Sequence, residues 1–152
     1  IANSMWKHGN LDMWGDIQNM NTTNKLNEIY FNFNISTNEC KRKYCYDVIT
    51  SKNIPNVPNM DYSNYLKKLS TYKFAICPEG NGMDTHRFWE CLYLKVIPIC
   101  MKNNITEYYS KIYPIIVLDN WEELDVSNIN DKYENANWNN YSKLSFDIKI
   151  LA

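Results

Sequence analysis

The chain has 152 residues, 45% of them hydrophobic, which is enough for one domain with its own core. A formal net charge of -1 removes any argument for nucleic-acid binding from general electrostatics. No run of about eighteen apolar residues is present to cross a membrane as a helix.

The chain begins at Ile1, and IANSMWKHGN lacks the charged and apolar order of a signal peptide, so it reads as a fragment. Residues 1–23 have no clean period and form an N-terminal or interdomain segment. Leu26 to Ile35 places Ile29, Phe31, Phe33 and Ile35 at a period of two, which predicts a strand. Ser36, Thr37 and Asn38 offer caps to a helix over about Glu39 to Ser51. A loop with Pro55 and Pro58 follows. Asp61 or Ser63 caps a short helix whose apolar stripe is Tyr65, Leu66, Leu69 and Tyr72. KFAIC is a buried strand, 78–84 a loop, and Thr85 to Lys95 a helix. VIPIC, residues 96–100, is the next strand. A short helix from Thr106 to Ile112 and a strand at 115–118 complete the alternation, and Trp121 to Leu124 is one helical turn. This order predicts an α/β fold, a Rossmann-like parallel sheet with helices on both faces, over residues 24–126. The Asn-rich tail, 127–152, carries an expected helix near Trp138 to Ile150.

The five cysteines, Cys40, Cys45, Cys77, Cys91 and Cys100, are odd in number and lack C-x-x-C spacing. Cys77, Cys91 and Cys100 sit among apolar residues as small core hydrophobes, and a reducing compartment is favoured.

The chemistry concentrates in CPEGNGMDTHRFWE, residues 77–90. Gly80 and Gly82 allow positive φ and close backbone approach. Asp84 or Thr85 can cap the helix that follows, whose free N–H groups make a generic anion site. Arg87 and Glu90 lie three apart on one face of it. Arginine suits phosphate oxygens, and a glutamate one turn further suits a neutral diol such as ribose. The same pair also reads as a surface i,i+3 contact of little energy, and the residues alone leave both readings open. A nicotinamide fingerprint lacks its third glycine and its downstream acid, a P-loop lacks G-K-[ST], and a hydrolase elbow G-x-S-x-G is missing. Asp84-x-His86 has no third ligand nearby, so no metal is expected, and His8 reads as an ordinary surface residue.

KFAICPEGNGMDTHRFWECLYLKVIPIC, with YPIIVLDNWEEL after it and YFNFNISTNECKRKYCYD before it, resembles the exostosin-like glycosyltransferases of the GT-B fold. Giant-virus and protist members share its Asn- and Lys-rich style. The resemblance implies the C-terminal, donor-binding half of a two-domain enzyme, with the acceptor domain missing from this chain. It implies a nucleotide-sugar donor, UDP-linked, and a hydroxyl acceptor on a glycan, without a metal. Arg87 would hold the diphosphate and Glu90 the ribose, as the catalytic pair. Gly80, Asn81, Gly82, Asp84, Thr85 and His86 would line the donor site, with Thr37 and Asn38 beside them. A non-catalytic nucleotide- or glycan-binding module is the alternative. Two departures from the family pattern carry expectations. Lys95 stands where glycine is common, so the turn there must differ or be strained. Glu79 must point away from a phosphate or bind a hydroxyl.

Overall fold

The computed structural model describes residues 19–20 and 24–144. Strand β1 spans Asn27–Tyr30. A 3-10 turn, Ile35–Asn38, leads into α1, Glu39–Ser51, and then α2, Tyr62–Ser70. The alternation continues with β2, Tyr72–Ile76, α3, His86–Tyr93, β3, Ile97–Met101, α4, Asn104–Ser110, and β4, Ile116–Leu118. A second 3-10 turn at Trp121–Glu123 and α5, Ile129–Glu134, close the described part. The four strands form one parallel sheet in the order β1-β2-β3-β4. Register pairs Ile29 with Phe74, Phe74 with Ile97, and Ile99 with Ile116. The expected α/β architecture, a parallel sheet flanked by helices, is the one observed.

Alternation along the strands divides the core in two. Tyr30, Ala75 and Cys100 meet Leu66 and Leu69 of α2 and Phe88, Cys91 and Leu92 of α3. Ile29, Phe74, Ile76, Ile97, Ile99, Ile116 and Leu118 meet Cys45 and Ile49 of α1, then Trp121, Leu124 and Ile129. The helices therefore cover both faces. Cys45, Cys77, Cys91 and Cys100 are buried and all five cysteines are free, with Cys77 Sγ 3.8 Å from Cys91 Sγ. Among the described residues no helix is long and apolar enough to cross a membrane.

The first strand is shorter than its sequence period. Phe31 and Phe33 keep the inward side with Ile29, but past Tyr30 the Phe31 carbonyl accepts from Val57 N–H at 2.8 Å. Asn34 then caps the 3-10 turn that contains Ile35, accepting from Ser36 N–H. The chain thus leaves the sheet where its backbone finds other partners. Asp61 caps α2, accepting from Asn64 N–H at 2.8 Å, and Asn103 caps α4 in a reciprocal box with Thr106. The short helix expected from Thr106 starts two residues earlier for that reason. A helical turn at Ile129–Glu134 lies within the tail, and most of the helix expected at 138–150 falls outside the described residues.

Lys95 keeps the left-handed conformation, with φ of 54°, that a glycine would adopt without strain. The turn has not been rebuilt around the lysine. Its ammonium instead lies 4.8 Å from the centre of the Tyr141 ring.

Candidate functional site

In a parallel sheet the loops at the carboxyl ends of the strands are gathered at one edge. Here the segment after β1, the N-terminal half of α1, the loop after β2 and the first turns of α3 enclose a cavity of about 510 Å³. Thr37, Gly80, Asn81, Gly82, Asp84, Thr85, His86, Arg87 and Glu90 all line it. Asn38 stands behind it, donating from Nδ2 to the Gly80 carbonyl at 3.0 Å.

Several residues of the loop have a definite task. Thr85 is the N-cap of α3, accepting from Phe88 N–H at 3.4 Å, while Asp84 accepts from the Trp89 indole at 2.9 Å. The capping ambiguity between the two is thereby resolved, and Asp84 is shown to pin the helix through its tryptophan. Neither Gly80 nor Gly82 adopts the left-handed φ that was one use expected of them. Close approach is the reason for Gly80: a Cβ there would lie 2.8 Å from Arg42 Nη2. Glu79 turns away from the cavity. Its carboxylate pairs with Lys41 and accepts from Asn103 Nδ2 at 3.0 Å.

Arg42 is the residue that sequence reasoning missed. It is 9% exposed and held by two backbone carbonyls, Nε to Glu79 O at 2.8 Å and Nη1 to Asn34 O at 2.7 Å. Its guanidinium also sits 5.7 Å from the Phe33 ring centre. The signal was available, because Arg42 ends the T-N-x-x-x-R stretch and lies one helical turn past Thr37 and Asn38.

Arg87 is half-buried between the Tyr30 and Tyr65 rings, 5.1 and 5.4 Å from their centres. Its Nε donates to Tyr65 Oη at 3.1 Å and its Nη1 to the Asn32 carbonyl. Neither arginine forms an ion pair with a described carboxylate. Burial, followed by the nearby Arg87 charge, pulls the Arg42 pKa down.

Glu90 is 4% exposed, and among the described residues its Oε2 has no hydrogen-bond partner. Burial pushes its carboxyl up to about 7, against the opposing pull of Arg87 and the neighbouring Tyr62 hydroxyl. The reading of Arg87 and Glu90 as a surface i,i+3 ion pair therefore fails. They share one cavity wall without bonding to each other.

No protein-family model matches the chain. Over 81 residues, 53% of its length, it is 27% identical to a probable glycosyltransferase of Arabidopsis thaliana, of which it covers 15%. That relationship fits the α/β sheet and its helices.

The remaining wall is aromatic. Tyr65, read from the sequence as part of a core stripe, places its hydroxyl on Arg87, and Tyr62 of the same helix lines the cavity. A tyrosine at helical spacing resembles core in a sequence, and only the fold shows that its polar end meets a guanidinium. Among the described residues, no group of three or more His, Cys, Asp or Glu is arranged to hold a metal ion.

Proposed function

We propose that this chain is the donor-binding part of a glycosyltransferase, which takes a sugar from a nucleotide sugar, passes it to a hydroxyl acceptor and releases the nucleoside diphosphate. One observation carries the reading. Two guanidiniums that, among the described residues, have no carboxylate partner face the same cavity as a buried carboxylate oxygen that has no donor among them. Uncompensated charge and unmet acceptors in a protein interior are costly, and a ligand that is anionic at one end and hydroxylated at the other relieves both. A nucleoside diphosphate has that form.

In this reading the diphosphate lies against Arg42, Arg87, the Gly80–Gly82 backbone and the N-terminus of α3. Arg42 and Arg87 each keep Nη2 protons that no described residue accepts, and these are the donors aimed at phosphate oxygens. The ribose hydroxyls donate to Glu90. As the bond to the sugar breaks, negative charge accumulates on the leaving diphosphate, and fixed cations with helix N–H groups stabilise it. Thr37, Asn81 and His86 stand at the cavity wall where the sugar or diphosphate would pass. UDP is the nucleotide we favour, on the resemblance set out above, together with an acceptor-binding domain outside this chain. The general base for transfer would belong to that domain, so the chain alone is expected to bind donor and to transfer poorly.

Calorimetry with UDP tests this reading. Binding that is lost in Arg87→Ala and weakened about tenfold or more in Glu90→Ala is the expected result. No heat at millimolar UDP would overturn it. Binding without transfer by the full-length protein would instead indicate a nucleotide-binding module.

A further inference from the structure

Arg42 and Arg87, which line the same cavity, are held in the same way. In each, Nε and Nη1 donate to oxygens of the protein, and no described residue accepts from Nη2. For Arg42 both acceptors are backbone carbonyls, those of Glu79 and Asn34. For Arg87 one acceptor is the Asn32 carbonyl. The other is a side chain, the Tyr65 hydroxyl of α2, 3.1 Å from Nε.

We propose that Tyr65 is a positioning residue for the diphosphate: by taking the single Nε proton of Arg87, it presents the terminal edge of the guanidinium to the ligand in place of its Nε side. The inference rests on the donor reading above and extends it. An arginine can grip a phosphate through its two Nη atoms or through Nε together with Nη2. Nε carries one proton, so its bond to Tyr65 closes the second mode. Nη1 carries two and gives one to Asn32, which leaves the other and both Nη2 protons for phosphate oxygens.

The surroundings of Tyr65 agree with this task. Arg87 Cζ lies 5.1 and 5.4 Å from the Tyr30 and Tyr65 ring centres, which are 5.9 Å apart. The guanidinium therefore loses ring contact as well as a hydrogen bond if it swings. Tyr65 is itself braced by Tyr62, one turn earlier in α2, with the ring centres 6.0 Å apart. Burial raises the Tyr65 hydroxyl well above its ordinary pKa, so it stays neutral. It orients Arg87 without cancelling the charge that a phosphate needs. A carboxylate in its place would hold the arginine as firmly and compete with the ligand.

Calorimetric titration of the chain with UDP, and with pyrophosphate, which retains only the diphosphate, tests the assignment. Tyr65→Phe keeps the ring and removes the hydroxyl. It should weaken both ligands by the same factor, about three- to tenfold, because the guanidinium must then be ordered on binding. In Arg87→Lys, which has no edge to aim, adding Tyr65→Phe should cause no further loss. In the unaltered protein, NMR of the arginine side chains should show the Arg87 Nε–H protected from exchange with water. Pyrophosphate should move the Nη signals and leave the Nε signal in place. A residue that only packs against Arg87 would not dictate which nitrogen the ligand meets. If pyrophosphate instead displaces the Nε–H signal, it binds through the Nε side and the assignment is overturned, whether or not the phenylalanine variant folds. Unchanged affinities in Tyr65→Phe also overturn it, and the donor reading then stands. A loss for UDP alone overturns it as well, since Tyr65 then meets the nucleoside and does not act through Arg87. If neither UDP nor pyrophosphate binds the unaltered chain, both readings fail.

Discussion

A buried carboxyl without a partner destabilises a fold whenever it is charged. Among the described residues Oε2 of the buried Glu90 lacks a donor, and burial pushes the carboxyl up to about 7 in the folded chain against 4.5 for an unperturbed glutamate. The folded state thus holds a proton that the unfolded state releases between those two values. Stability from this group is full below pH 4.5 and is lost as pH rises through about 7. At about 1.4 kcal/mol per pH unit the loss is on the order of 3 kcal/mol. Urea denaturation at pH 5 and pH 8 should therefore show the ligand-free chain less stable at pH 8. Glu90→Gln, which cannot ionise, should flatten that slope, and an unchanged slope would remove Glu90 as its source. Gly80 gives a second prediction at the scale of one residue. A methyl group there would press on Arg42 Nη2, whose other two nitrogens are tied to Glu79 and Asn34 carbonyls. The arginine cannot move without breaking one of those bonds, so Gly80→Ala should destabilise by about 1–3 kcal/mol and weaken pyrophosphate binding as well.

Helix caps govern how the elements around the cavity hold their positions. Asn103 caps α4 and also donates to Glu79, the acid that must stay clear of a phosphate. Asn103→Ala should cost about 1–2 kcal/mol through the cap alone, measured by urea denaturation. Asn103→Asp separates the two roles: an aspartate caps as well as an asparagine, but it cannot donate to Glu79 and repels it. Pyrophosphate binding should fall in the aspartate variant even if its cap is intact, because Glu79 is then free to turn toward the cavity. Full binding in that variant would show that Glu79 is held away by Lys41 alone. Elements of this kind were readable from the chain to different degrees. The limits of α1, at Glu39 and Ser51, match the expected helix, but the expected capping does not. Asn38 stands at the N-cap without a side-chain cap bond and donates to the Gly80 carbonyl, and the residues before it form a 3-10 turn. The strand expected over 26–35 stops at Tyr30, since a period of two records which side a residue faces and not where its backbone finds a partner. Arg87 and Glu90 were legible because they sit three apart on the helix behind a glycine loop. Arg42, on another helix, enters the same cavity only through the folding of the sheet, and the apolar look of the α2 stripe concealed Tyr65.

At the scale of the whole molecule, the cavity and the core share one set of elements, so ligand binding and global stability are linked. Strands β1 and β2 end at the cavity, α3 carries Arg87 and Glu90 on one side, and Phe88, Cys91 and Leu92 on the other enter the core. A ligand at one hundred times its dissociation constant adds about 2.7 kcal/mol, which for a chain of this length raises the melting temperature by about 5–10 °C. The pH dependence of that increment identifies the partner of Glu90. Ribose hydroxyls donate to a carboxylate and favour its charged form, so a nucleotide sugar should drive the Glu90 proton off. A nucleotide diphosphate sugar has no phosphate ionisation near neutrality, which makes UDP-glucose a cleaner probe than UDP. Its thermal shift should be larger at pH 8 than at pH 5.5, since at the lower pH the carboxyl raised to about 7 must first lose its proton. In Glu90→Gln the shift should be smaller and independent of pH. A shift that is equal at both values in the unaltered chain would place the ribose away from Glu90, and the diphosphate would then be held by Arg42 and Arg87 in another orientation.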